Sequence, residues 1–227
     1  VLVVMAHPDD PEYGAGGTLA RWTGEEGCEV IYLIVTDGSK GSSERDMDPE
    51  RLVTLRQAEQ RAAADLLGVR QVEFLGFPDG EVAPDLVLRH AIAREIRRWR
   101  PDVVVTHDPA TLYWESYINH PDHRAVGQAT LDAVFPTARD HLNATHLLAE
   151  GLEPHVVHEV YLAGSRQPDC WIDIEPTFER KIAALRHHVT QIRDPDGLPE
   201  RIRQRAAAAA EGHGLRLAEA FKKISLP

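Results

Sequence analysis

The chain begins on an unbroken apolar run, Val1 to Ala6, that stops at His7-Pro8-Asp9-Asp10. Similar runs recur at Val30–Thr36, Val72–Phe77, Val103–Val105 and Val160–Ala163. Short runs rich in β-branched residues and bounded by turn residues predict strands buried on both faces. Between them the apolar spacing changes to the helical period. Gly14-Ala15-Gly16-Gly17 predicts the opening of a helix over Thr18–Thr23, stopped by Gly24 to Gly27. Pro49–Leu67 predicts a helix with Pro49 in its first turn and Gly68 past its end. Leu52, Leu55, Glu59, Ala62, Ala63 and Leu66 mark its buried side, where the Glu59 carboxylate needs a partner. Pro84–Arg100 predicts a helix with Leu86, Ile92 and Ile96 inward, and Pro121 starts another that runs through Ala125, Leu131 and Val134. Thr177–Ile192 reads as helical, and Leu198–Ile224 as largely helical.

Strands alternating with crossover-length helices predict an α/β fold, a mostly parallel sheet with helices on both faces. The length of 227 residues suits a single domain over 1–227, its last part, 191–227, a helical C-terminal extension. Ligands of such sheets bind outside the carboxyl ends of the strands. His7, Asp37, Pro78-Asp79 and His107-Asp108 each follow a predicted strand, so all rise at one edge of the sheet.

Composition narrows the function. A formal charge of −11 repels phosphate backbones, which excludes nucleic acid as the expected partner. No apolar stretch approaches the roughly 20 residues of a membrane helix. Cys28 and Cys170 offer no disulfide framework and no Cys-rich metal pattern, which favours a cytoplasmic setting. The sequence starts inside a strand without Met, which leaves room for a preceding leader segment.

The chemistry lies in two clusters, His7-Pro8-Asp9-Asp10 and His120-Pro121-Asp122-His123. Either alone reads as a turn with a capping Asp. Together they stand at a strand end and a helix start, with the residue types a catalytic ion takes. Such an ion needs about three His or carboxylate ligands and an open position for water. His7 and Asp10, three apart across a turn, can share one ion, and His123 can complete the set. Asp9 and His120 are then free, one to take a proton from water, the other to stabilise an oxyanion. Elsewhere the chemistry is thinner. Asp37-Gly38 and Gly41 lack a phosphate-binding glycine pattern. Tyr113, Trp114 and Tyr117 read as a sugar-stacking wall or as a cover for the core. His141, His146, His155 and His158 have no ligand spacing, and residues 138–158 read as a lid or an oligomer contact.

AHPDD at Ala6 to Asp10, followed by PEYGAGGTLA, and HPDH at His120 to His123 resemble the PIG-L/LmbE-like zinc-dependent N-deacetylases. VTDGSKGS from Val35, LRQAEQRAAADLLG from Leu55, LGFPDG from Leu75 and PDVVVTHDP from Pro101 follow in the family's order, so the resemblance covers about residues 1–190. It implies a Rossmann-like fold and a zinc ion, or another divalent transition metal, on His7, Asp10 and His123. It implies Asp9 as general base, His120 as the group stabilising the tetrahedral intermediate, and Asp122 orienting a neighbouring imidazole. Arg56 and His188 are the implied substrate contacts. The implied reaction removes the N-acetyl group of an N-acetylglucosamine-type amino sugar or sugar conjugate and releases acetate. Family members are often oligomeric. Many carry Glu directly after HPDD, whereas here Pro11 intervenes before Glu12. The alternatives are an amidase acting on a glucosaminyl thiol conjugate and a metal- or sugar-binding module without turnover. A dinucleotide enzyme is disfavoured by the missing glycine fingerprint after the first strand.

Overall fold

The computed structural model describes residues 1–115 and 117–227. The parallel strands β1 (Leu2–Met5), β2 (Ile31–Thr36), β3 (Gln71–Phe77), β4 (Val103–His107) and β7 (Glu159–Ala163) form most of a seven-stranded sheet. A small antiparallel pair, β5 (Tyr113–Trp114) and β6 (Tyr117–Ile118), lies between β4 and β7 in the chain. The order in the large sheet is β3-β2-β1-β4-β7, continued by β9 (Ala218–Ser225) and β8 (Cys170–Asp173). β9 runs antiparallel to both its neighbours. The order reverses between β1 and β4, so their carboxyl ends flank the crevice where doubly wound sheets bind ligands.

Alternation along β1 sorts the core into two layers. Leu2, Val4 and Ala6 pack with Leu88, Ile92 and Ile96 of α3 (Leu86–Trp99) and with Val126 and Ala129 of α4 (Pro121–Asp132). Val3 and Met5 pack on the other face with α1 (Asp10–Gly24) and α2 (Pro49–Leu67). Both faces are thus covered, and the strands read as continuous apolar runs for that reason. α5 (His146–Ala149) belongs to segment 138–158. This segment packs on α3, where buried Arg97 donates to the carbonyls of Thr137, Ala138, Asp140 and Asn143.

Several expectations need correction. α1 starts at Asp10, directly after the first cluster, and takes the glycine run into its interior. A Cβ at Gly17 would lie 2.7 Å from Ile174, so the glycine serves close packing there and does not open the helix. α2 presents Leu52, Arg56, Gln60, Ala63 and Leu67 inward, while Leu55 is exposed. The helix is turned so that two polar side chains face β1 and its loop. Glu59 finds its partner in Thr190, which donates from backbone and hydroxyl at 2.8 and 2.7 Å. The predicted helix over 177–192 ends early, as α6 (Phe178–Leu185). The C-terminal region is helical only over α7 (Leu198–Ala210); residues 218–225, expected to be helical, form β9. Gly212 and Gly214, at φ 80° and 71°, end the alanine-rich helix, and sheet pairing on both sides then decides for strand.

α4 approaches β4 so closely that a Cβ on Gly127 would meet the His107 carbonyl oxygen at 2.4 Å. Gly127→Ala is therefore expected to cost about 1–3 kcal/mol, seen as a melting temperature lower by about 2–10 °C. An unchanged melt would show that α4 can shift without cost.

Candidate metal and catalytic site

His7 leaves the end of β1, and its backbone N–H donates to Asp10 Oδ2 at 2.8 Å, closing the turn into α1. α4 starts at Pro121 with His120 as its N-cap, the imidazole Nδ1 accepting the Asp122 N–H at 3.2 Å. His123, one turn into α4, faces back toward β1. The two clusters meet here. His7 Nδ1 lies 3.3 Å from Asp10 Oδ2 and 3.3 Å from His123 Nε2, and His123 Nε2 lies 3.2 Å from Asp10 Oδ1.

These atoms fit a metal ion by two criteria. Donors about 2.1 Å from a tetrahedral ion stand about 3.4 Å from one another, close to the separations found. The outer nitrogen of each imidazole is also engaged by an acceptor. His7 Nε2 faces Asp79 Oδ1 at 3.1 Å and Asp122 Oδ2 at 3.2 Å. His123 Nδ1 faces Asn119 Oδ1 at 3.2 Å, and Asn119 is oriented by donating to the Thr111 carbonyl at 2.8 Å. With those outer nitrogens donating, the inner nitrogens can turn lone pairs to an ion beside Asp10; without an ion, His7 keeps a proton on Nδ1 facing the Asp10 carboxylate. The His/Asp groups among the described residues that could hold a metal ion overlap here: His7, His120 and His123; Asp10, His107 and His123; and His7, Asp79, His120 and Asp122.

Burial opposes a charge on His7, but Asp10, Asp122 and Asp79 outweigh it and carry its pKa up to about 12. Burial would raise Asp10, yet the His123 and His107 imidazoles hold it well below the usual carboxylate range. Asp9 behaves differently. Burial, then the neighbouring Asp10 charge, push it up to about 7, against Arg56, His188 and His7. His120 is partly exposed, and burial followed by the charge on His7 lowers its pKa. Its Nδ1 is an acceptor, so its Nε2 carries the proton.

The remaining candidates fall as follows. Asp122 is fully buried, accepts the Gly80 and Val82 N–H groups at 2.7 and 3.3 Å, and orients His7. Arg56 does not face open space. It is buried, donates to the Pro8 and Gly38 carbonyls at 2.7 and 3.0 Å, and stands 3.6 Å from Asp9. His188 is fully buried against Glu12 at 3.0 Å. Glu12, at the position where the family pattern is displaced by Pro11, and Asp79, after a strand end, stand at signals visible in the sequence; Asn119 and Gln60 were not singled out, although Asn119 stands beside the second cluster. His107 accepts the Ala6 N–H at 3.0 Å, and burial followed by His123 lowers its pKa to about 4. A cavity of about 330 Å³ opens beside Asp10 and His123, with Trp114 and Tyr117 on its wall, their rings 4.3 Å apart.

The fold and site together define a doubly wound α/β protein whose switch point carries a His/Asp cluster able to hold a metal. A family model described as PIG-L: GlcNAc-PI de-N-acetylase matches residues 2–134. The chain is 35% identical over 191 residues to the diacetylchitobiose deacetylase of Thermococcus kodakarensis, covering 84% of this chain and 69% of that protein. The chain belongs to the PIG-L family of N-deacetylases. The solved structure of N,N'-diacetylchitobiose deacetylase from Pyrococcus horikoshii matches with a TM-score of 0.90 at 30% identity, covering 99% of this chain and 83% of that chain. The 4-carboxy-2-hydroxymuconate hydratase of Pseudomonas putida matches with a TM-score of 0.79 at 24% identity, covering 100% of this chain and 96% of that chain. That last likeness concerns the fold alone, and a fold does not fix a reaction. No helix among the described residues is long and apolar enough to cross a membrane.

Proposed function

We propose that this protein is a metal-dependent hydrolase that removes the acetyl group from an N-acetylglucosamine-type sugar or sugar conjugate and releases acetate. The observation that carries the reading is the convergence of His7, Asp10 and His123, the two imidazole nitrogens 3.3 Å apart and each 3.2–3.3 Å from an Asp10 oxygen, next to Asp9, which is not among the converging donors. The substrate class follows the family description and the diacetylchitobiose deacetylases among the relatives. His7, Asp10 and His123 would hold the ion, zinc first among divalent transition metals for this donor set.

A divalent ion bound there supplies a Lewis acid for the acyl carbonyl and acidifies a water. Asp9, whose carboxyl is pushed up to about 7, would take the proton of a water attacking the carbonyl carbon. His120 offers its Nε2–H to the carbonyl oxygen as negative charge develops. Asp122 and Asp79 keep the His7 ring in one orientation, and Asn119 does the same for His123. Proton return from Asp9 to the nitrogen lets the amine leave as the C–N bond breaks.

The test is release of acetate and free amine from N,N'-diacetylchitobiose and N-acetylglucosamine conjugates by protein loaded with one ion per chain. Equal amounts of the two products are expected. Amine release from a glucosaminyl thiol conjugate in place of acetate release would move the reading to an amidase. Bound metal without turnover across a broad N-acyl panel would leave a binding module.

A further inference from the structure

The Pro8–Asp9 peptide group is gripped at both ends by one face of α2. Arg56 Nη2 donates to the Pro8 carbonyl at 2.7 Å, and Gln60 Oε1 accepts the Asp9 N–H at 2.8 Å. That carbonyl and that N–H belong to the same peptide plane. Arg56 and Gln60 are four residues apart, so they project from the helix one above the other. The residue whose backbone they fix is strained: Asp9 has φ 94° and ψ −30°, a region that side-chain-bearing residues occupy only when their surroundings force it.

A second tier holds the grip in place. Gln60 Nε2 donates to both Glu12 oxygens at 3.0 Å, and Glu12 is paired with His188 Nε2 at 3.0 Å. Gln60, Glu12 and His188 are completely buried. The Gln60 amide has one workable orientation, its oxygen toward an N–H and its nitrogen toward a carboxylate. None of the three hydrogen-bonds a candidate ligand side chain among the described residues.

We infer that Gln60, seated by Glu12 and His188, is a positioning residue that, with Arg56, clamps the Pro8–Asp9 peptide and so aims the Asp9 carboxylate. The sequence gives Asp9 and Asp10 the same side chain on adjacent residues. The clamp gives them different backbones, one strained and one helical, and so different tasks. Relaxing φ of Asp9 to negative values swings its Cα–Cβ bond away from the present direction. The inference rests on Asp9 being the base, as proposed above.

Gln60→Met keeps the length of the side chain and removes both hydrogen bonds. It is expected to lower kcat about 10–100-fold, the scale of a misplacement near 1 Å, with KM and metal content unchanged within about twofold. Gln60→Glu sets two carboxylates against each other and fails similarly. Adding Glu12→Gln to it restores a donor between the two side chains, and the E12Q/Q60E pair is expected to recover most of the wild-type rate. In an Asp9→Asn background Gln60→Met has no further effect on the residual rate. Loss of metal in Gln60→Met, or an equal rate loss with and without Asp9, overturns the inference. A readout without substrate separates this from failure of the functional reading. Asp9→Gly relieves the strain and is expected to raise the melting temperature by about 2–4 °C, and this gain shrinks once Gln60→Met has released the clamp. The same gain in both backgrounds also overturns it.

Discussion

Asp9→Asn in the metal-loaded protein is expected to lower kcat by about 10²–10⁴-fold, the range general-base catalysis supplies, while metal content stays at the wild-type level. Asparagine keeps the size and tolerates a positive φ, but cannot take a proton. The separation of effects follows from the geometry: the three converging donors are His7 Nδ1, Asp10 and His123 Nε2, and Asp9 is not among them. Its carboxylate faces Arg56, and its backbone is bonded to Gln60 and Tyr13. The pH dependence has a definite sign. Burial and Asp10 push the Asp9 carboxyl up to about 7, so without metal it is protonated and useless as a base below that pH. A cation at the neighbouring ligands favours the carboxylate, so the loaded protein keeps its rate to below pH 7 before losing it as acid is added. That limb is expected to vanish from the residual rate of Asp9→Asn. A variant with kcat within about tenfold of wild type would remove Asp9 from the mechanism, because base catalysis is worth at least ten times more than that.

The same residue shows where the sequence was legible. Val1 to Ala6 ending at His7, and Pro121 starting a helix beside His120, are local signals, and local signals place strand ends and helix starts well. The topology rule then brings them to one edge of the sheet, which is enough to anticipate that His7, Asp10 and His123 meet. Gln60, Glu12 and His188 come together across separations of 48 and 176 residues, and no local period encodes that. The hydrophobic pattern of α2 even points away from it. Leu55 looked like the buried residue, but Arg56 next to it is the one inside, because its guanidinium donates to the Pro8 carbonyl in the loop after β1 and to the Gly38 carbonyl in the loop after β2. Arg56 and His188, for which the family resemblance implied contact with substrate, are both buried and hydrogen-bonded within the protein. β9 was hidden for a related reason. Its alanines and lysines do not favour a strand, and partners on both sides override that preference.

Removing the metal is expected to abolish turnover, by about 10³-fold or more for loss of a Lewis acid and its acidified water, and re-adding a divalent transition ion restores it. The fold should survive, since β1, β4 and α4 are held by apolar layers independent of the ion. At an ion concentration near 100 times Kd the loaded protein gains about 2.7 kcal/mol, so chelation lowers the melting temperature by about 5–10 °C. A sharper consequence lies in the protons. Without metal, the three surrounding carboxylates keep His7 protonated up to about pH 12. An ion can use Nδ1 only after the proton there has left. Asp10 is already ionised, since its pKa lies well below the carboxylate range. At pH 8.5, above the titration of Asp9, binding is therefore expected to release about one proton per ion, and affinity to rise up to about tenfold per pH unit. Calorimetric titration in buffers of different ionisation enthalpy counts that proton directly. His123→Ala removes one donor and should leave the ion weakly held. A proton count near zero in the wild type would mean that the ion does not displace the His7 proton, and Nδ1 would have to be struck from the ligand set.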